Sequence, residues 1–368
     1  MASSRHPFSY LDEPLRDRHN RGRIKTTYIV AMVKDLTSSL LDRQNILNNR
    51  YALEKLEEHL GLGGTYYEGE LLFTKQQLVE IFGVSESSIE KYLASHSDEL
   101  KANGYTVLKG RKLRDFKALM DVSVTDYGNK TPTLGVFTFR ATLNLAMVLV
   151  ESDRARAIRS RILDIVIDVM AERAGGHTKY INQRDCNYLP AAYQEFNYRK
   201  TFTDALDRYL EMGKIKYGLY TNQVYYIVFR EKAKEYKQIL SLEKGDNPRD
   251  TMYAEVLKAI ASLENGLAAE MQAQSEQLGR KLTQMEVDTI FNAAEKNPYL
   301  KPIIEDARIK MASRDLGFRD ALHQKLEAYI QSVPESDFEK FLGETSRSLE
   351  EQLSDPALLA VFKRLKDR

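Results

Sequence analysis

Thr74 to Leu93 reads TKQQLVEIFGVSESSIEKYL, and its spacing predicts two short helices joined by a tight corner. Thr74 is a good N-cap, and Gln77 three residues on completes a capping box. Leu78, Ile81 and Phe82 form one apolar face. Gly83 supplies the left-handed residue that a tight helix-helix corner needs, and Val84 plugs the corner. Ser85 caps the second helix. There Ile89, Tyr92 and Leu93 turn inward, while Glu86, Ser87, Ser88, Glu90 and Lys91 turn outward. This is the pattern of a helix-turn-helix, whose second helix reads the major groove of DNA. Val79 departs from it, standing where the close crossing usually brings a small residue.

The residues predicted to meet DNA on this helix are Ser85, Glu86, Ser87, Ser88 and Lys91. Phosphate attraction dominates DNA affinity, so Glu86 and Glu90 oppose it. Glutamate can nevertheless accept from cytosine N4. The missing cations are expected just downstream, in KGRKLRDFK, where Lys109, Arg111, Lys112, Arg114 and Lys117 face only Asp115. A turn at Gly110 would set them at a hairpin tip, as a wing along the phosphate backbone. A second basic set, Arg154, Arg156, Arg159 and Arg161, is partly neutralised by Glu151 and Asp153 and is expected to form surface ion pairs.

Two blocks carry a family resemblance. LLFTKQQLVEIFGVSESSIEKYL (residues 71–93) and FTFRATLNLAMVLVESDRARAIRSRILDIV (residues 137–166) resemble the RhuM-type and phage antirepressor-like DNA-binding proteins of bacteria and their mobile elements. The second block pairs a helix that starts at Arg140-Ala141 with an ARAIRSRILD-like helix over Ala155 to Asp164. The resemblance spans roughly residues 65–175. It implies a DNA-binding or regulatory protein tied to phage, virulence or toxin–antitoxin genes.

The rest of the chain reads as mainly helical. Residues 1–25 form a basic, flexible arm, and Ile24 to Leu60 a broken helix or two short ones that stop at Gly61, Gly63 and Gly64. A short strand follows Gly104, and Phe137 to Met170 gives two helices that stop at Gly175-Gly176. Residues 177–240 are tyrosine-rich, which points to an amphipathic core or interface. Beyond Asp250 the pattern is helix, punctuated by Pro248, Pro298, Pro302, Pro334 and Pro356. The expected domains are the arm (1–25), a helix-turn-helix domain with its basic wing (26–175) and a helical partner-binding or oligomerisation domain (177–368). The expected fold class is mainly α, an N-terminal winged helix-turn-helix module followed by a helical C-terminal domain with room for a small β element.

Composition excludes other classes. With 54 Lys+Arg against 53 Asp+Glu, only local charge can point to nucleic acid. The best apolar run, Ala141 to Val150, is half the ~20 residues that span a bilayer, so no membrane association is expected. Cys186 is the only cysteine and rules out an intramolecular disulfide; as a nucleophile it is less favoured than as an inert residue. No apolar leader opens the chain, and the expectation is a cytoplasmic protein. Walker A, dinucleotide-binding, HExxH and GxSxG motifs are missing, so no cofactor or metal is expected.

Ile303 to Ile330 is the densest polar stretch. As one helix it would align Asp315, Arg319 and His323 at i, i+4 and i+8, with Glu305 and Arg308 paired at i, i+3. The favoured reading is a buried or interfacial ion-pair network, with Asp315, Arg319 and His323 as partner-binding candidates. A nucleic-acid-acting or toxic enzyme using Glu305, Arg308, Asp315, Arg319 and His323 is the alternative. The leading expectation is a non-enzymatic, sequence-specific binder of double-stranded DNA, antitoxin-like or mobile-element associated. Its C-terminal domain would bind a protein partner, such as a toxin, or a second copy.

Overall fold

The computed structural model describes residues 36–120, 132–174, 178–319, 321–343 and 354–356. The basic arm and the stop at Gly175-Gly176 lie outside them. The chain divides into two compact units, Met1–Val169 and Met170–Arg368. It is mainly helical, with one four-stranded sheet among the described residues.

In the first unit, α1 (Leu40–Asn48) and α2 (Arg50–Leu60) fill the described part of the helical stretch expected over Ile24 to Leu60, whose residues 24–35 lie outside the described ones. Asn49 ends the first and caps the second, its Oδ1 accepting from Ala52 N at 3.1 Å. α2 stops at Gly61, whose φ of +49° is left-handed. Next comes a hairpin that the sequence analysis did not anticipate, β1 (Thr65–Tyr67) and β2 (Glu70–Thr74). Its two-residue turn puts Glu68 at φ +50° and Gly69 at φ +87°. Positive φ at both central positions is the two-residue turn that matches strand twist. The Glu-Gly pair is a weaker signal for it than Asn-Gly or Asp-Gly.

α3 (Lys75–Phe82), α4 (Glu86–Ser95) and α5 (Ser97–Ala102) follow, then β3 (Tyr105–Lys109), α6 (Gly110–Leu119), β4 (Thr133–Thr138), α7 (Phe139–Val148) and α8 (Asp153–Arg173). The sheet is antiparallel throughout, in the order β1-β2-β4-β3. Alternation along the strands puts Tyr67, Leu72, Leu108, Leu134 and Val136 on one face. Leu113, Phe116 and Met120, on and just beyond α6, complete that core.

The expected wing is therefore corrected. Lys109 to Lys117 is not a hairpin tip. Gly110, at φ +55°, opens a helix directly after β3. The reason is periodicity: Leu113 and Phe116, three residues apart, need one helical face to reach the sheet. The expected small β element, too, forms in the first unit; the second holds only an isolated bridge between Leu210 and Leu282 among its described residues.

In the second unit, α9 (Tyr188–Tyr209), α10 (Ile215–Phe229) and α11 (Ala233–Ile239) precede α12 (Ala254–Leu278), α13 (Gln284–Glu295), α14 (Lys301–Phe318) and α15 (Glu335–Leu342). Pro248 opens a 3₁₀ turn, Pro302 sits in the first turn of α14 and Pro334 caps α15. The long helices α9 and α12 pack together, and Arg249 lies buried between their carboxylates Glu195 and Glu264. Tyr188, Tyr220, Tyr225, Tyr236 and Tyr253 fill the core, while Tyr193 and Tyr226 stay exposed.

Gly104 marks the tightest point of the first unit. Its φ is +106°, and a Cβ there would lie 2.2 Å from Thr138 Oγ1, the hydroxyl that caps α7. Gly61 is also left-handed but faces open space. Gly61→Ala should therefore cost about 1–2 kcal/mol and Gly104→Ala roughly 2–4 kcal/mol. Urea midpoints followed by circular dichroism would test the order; equal losses would refute the steric argument.

Candidate nucleic-acid interface

The α3–α4 corner forms as its sequence predicts. Thr74 N donates to Gln77 Oε1 at 2.8 Å and Thr74 Oγ1 accepts from Gln77 N at 3.3 Å. Gly83 turns at φ +62°, its N–H bonded to Val79 O at 2.9 Å. Ser85 Oγ accepts from Ser88 N at 3.1 Å and caps α4. Leu78, Ile81, Phe82, Ile89 and Tyr92 are buried inside the corner.

Residues 150–154 brace this corner from behind. Ser152 Oγ donates to Phe82 O and Arg154 Nη1 to Glu80 O, both at 2.6 Å, satisfying the last carbonyls of α3. Tyr92 Oη donates to Glu151 and accepts from Val150 N at 3.2 Å. The Arg154 side chain also runs within 3.4 Å of where a Cβ on Gly83 would stand. Arg159, expected at the surface, is buried instead. It donates to Ala146 O at 2.7 Å and Leu149 O at 2.6 Å, at the end of α7. Arg156 does make the expected ion pair, with Asp153 at 2.8 Å.

On the outward side of α4, Glu86, Ser87, Glu90 and Lys91 are exposed and Ser88 is half-buried. The Ser85 hydroxyl lies 2.8 Å from that of Ser87 and 3.0 Å from that of Ser88. Lys75 joins them, a residue that the spacing of the corner did not single out. Its ammonium bonds both Glu86 and Glu90 at 2.6 Å. Burial alone would lower its pKa, but the hydrogen bonds it donates to the two carboxylates, with their charge, outweigh this and raise it. Charges facing each other across the turn could have revealed it.

Lys109, Arg111, Lys112 and Arg114 are exposed and Lys117 half-buried along α6. Lys112 pairs with Glu68 at 2.8 Å and Arg111 with Asp115 at 3.5 Å. α6 packs on β1, β3 and β4, whereas α4 packs on α3 and α5, so the two predicted sets sit on separate elements of one unit.

Asp315, Arg319 and His323 do come together, but not along one helix. α14 ends at Phe318 and the chain folds back, so His323 returns to Asp315 from outside the helix. Asp315 Oδ1 accepts from Arg319 Nε at 2.7 Å, and Oδ2 lies 2.5 Å from His323 Nε2. His323 Nδ1 is 2.9 Å from Glu231, and Arg319 also donates to Thr251 O at 2.8 Å and Lys179 O at 2.9 Å. All three are buried, so their expected role as partner-contacting groups is corrected: they present no surface to a partner. Glu305 and Arg308 are not a pair either. Glu305 is 3.9 Å from Lys301, while Arg308 turns inward to Ile227 O, Val228 O and the Tyr329 hydroxyl.

Among the described residues no group of His, Cys, Asp and Glu could hold a metal ion, and no helix is long and apolar enough to cross a membrane. Cys186 is exposed. The chain matches no family model, no curated protein and no solved structure.

The buried quartet of Asp315, Glu231, Arg319 and His323 is neutral when the imidazole is protonated. Burial opposes that charge, but Asp315 and Glu231 outweigh it and push His323 up from 6.5 to about 9. A raised folded pKa adds stability that is full below about pH 6.5 and is lost as pH rises through 9. Wild-type unfolding temperature should fall between pH 7 and 10. His323→Gln should be less stable at pH 7 by on the order of 3 kcal/mol, with the gap closing toward pH 10. A gap independent of pH would show that the imidazole is neutral in the folded state.

Proposed function

We propose that this chain is a sequence-specific binder of double-stranded DNA, with α4 as the reading helix and α6 as a phosphate-contacting element. The observation that carries the reading is the corner itself. A left-handed Gly83 and the Ser85 cap join two short helices, and the second leaves Glu86, Ser87, Glu90 and Lys91 outward and uncovered. α6 supports it: one face is committed to the sheet core and the other offers Arg111, Lys112 and Arg114 to solvent, with Lys109 exposed at the end of β3 just before it. Cations on a helix track phosphates as well as cations on a hairpin tip do, since phosphate contact depends on charge and not on backbone type.

The second unit is proposed to bind a protein, either a toxin-like partner or a second copy. Ile215, Met285 and Tyr299, large apolar side chains left exposed on this unit, are the residues such a contact would cover. The antitoxin-like or mobile-element role rests on the resemblance over residues 65–175. The cluster that an enzyme would use is consumed by its own hydrogen bonds and by carbonyls, which favours an architectural role for it.

Two sets of substitutions test the assignment with the full chain, by fluorescence anisotropy. Arg111→Ala with Arg114→Ala should weaken binding to all duplexes alike and flatten the salt slope by about two units. Ser87→Ala and Ser88→Ala should each cost about 1 kcal/mol, and only on the preferred duplex. An unchanged salt slope would remove α6 from the interface; an unchanged sequence preference would remove α4.

A further inference from the structure

The outward side of the corner sets a hydrogen-bond donor beside acceptors. Lys75, the first residue of α3, reaches α4 and bonds Glu86 Oε1 and Glu90 Oε1 at 2.6 Å each. The two carboxylate side chains are 63% and 59% exposed, one helical turn apart. An ammonium has three donors, so one remains beyond the two glutamates, and each carboxylate keeps a second oxygen. The charges of Lys75, Lys91, Glu86 and Glu90 cancel. This surface therefore has little attraction for phosphate, and what it offers is a pattern of hydrogen bonds.

A carboxylate only accepts, so its counterpart must donate. In the major groove the donors are cytosine N4 and adenine N6, while an ammonium pairs with guanine O6 and N7. A C·G pair shows the cytosine amino group beside the two guanine acceptors. An A·T pair sets its one donor between acceptors and adds a thymine methyl group. Glu86 opens α4, the end of a reading helix that reaches base edges.

Resting on the DNA-binding reading, we infer that Glu86 and Lys75 together read one C·G base pair. Glu86 accepts from cytosine N4, and Lys75 donates to guanine O6 or N7 of the same pair. Glu90 is a positioning residue that holds the ammonium against Glu86 and away from the phosphates.

The experiment starts by selecting duplexes from a random library with the full-length protein, then titrates the selected duplex. The expected motif contains an invariant C·G pair. Replacing its cytosine by a 2-pyrimidinone nucleotide, which lacks the 4-amino group, should weaken wild-type binding roughly tenfold. Glu86→Ala, which has no acceptor, should bind the two duplexes equally. Lys75→Met should lose the preference for the pair, Lys75→Arg should keep it, and Glu90→Gln should reduce it partially. These exposed ion pairs contribute little stability, so the variants should unfold at the wild-type temperature. A motif without an invariant C·G pair, or a Glu86→Ala variant that still prefers the 4-amino group, overturns this inference and leaves DNA binding standing. A selection that enriches nothing, with no duplex bound at low salt, overturns both.

Discussion

A helix that stops inside a packed protein leaves carbonyl oxygens that water cannot reach, and each one unsatisfied costs about 1–3 kcal/mol. This chain meets them with guanidinium groups and a hydroxyl brought from elsewhere in the sequence. Arg159 covers the end of α7, Arg308 the end of α10 and Ser152 the end of α3, where Arg154 adds a bond at the surface. Arg319 does the same for Thr251, which closes the 3₁₀ turn before α12. Guanidinium suits the task because its planar fork offers five donors and stays charged when buried. These bonds decide where helices end and what stands next to each end.

The candidate interface depends on the same constraint. The C-terminal end of α3 is where the chain must turn sharply into α4, and Ser152 and Arg154 take the carbonyls that the turn exposes. Tyr92, on the inner side of α4, is held by Glu151 and by Val150 N. The inner side of α4 is thus tied by packing and hydrogen bonds, which leaves its outer side available for a ligand. Lys75 then sets the character of that outer side by pairing with both glutamates.

Much of this corner was legible in sequence because its determinants are local. A Thr or Ser hydroxyl caps the helix that begins beside it, and a left-handed turn selects glycine at one position. Thr74, Gln77, Gly83 and Ser85 therefore act as read. The hairpin of β1 and β2 and the strand β4 escaped because each is short, and their pairing joins residues as distant as Leu72 and Thr138. A run of three to six residues carries too little alternation to declare itself. The basic stretch after Lys109 was read by its charge, whereas Leu113 and Phe116 decided its backbone.

The sequence alone determined the helical character of most of the chain, the capped corner at residues 74–93 and the local charge along α6, since all of these depend on neighbours within a turn or two. Only the tertiary structure decided which polar residues face solvent. Asp315 and His323 read as neighbours along one continuous helix until α14 ends at Phe318 and His323 meets Asp315 from outside it. Arg159 and Arg308 look like members of charged runs until carbonyls of other helices claim them. Whether a charge is buried depends on what lies across from it in space, and that partner can stand 80 residues away, as Val228 does from Arg308.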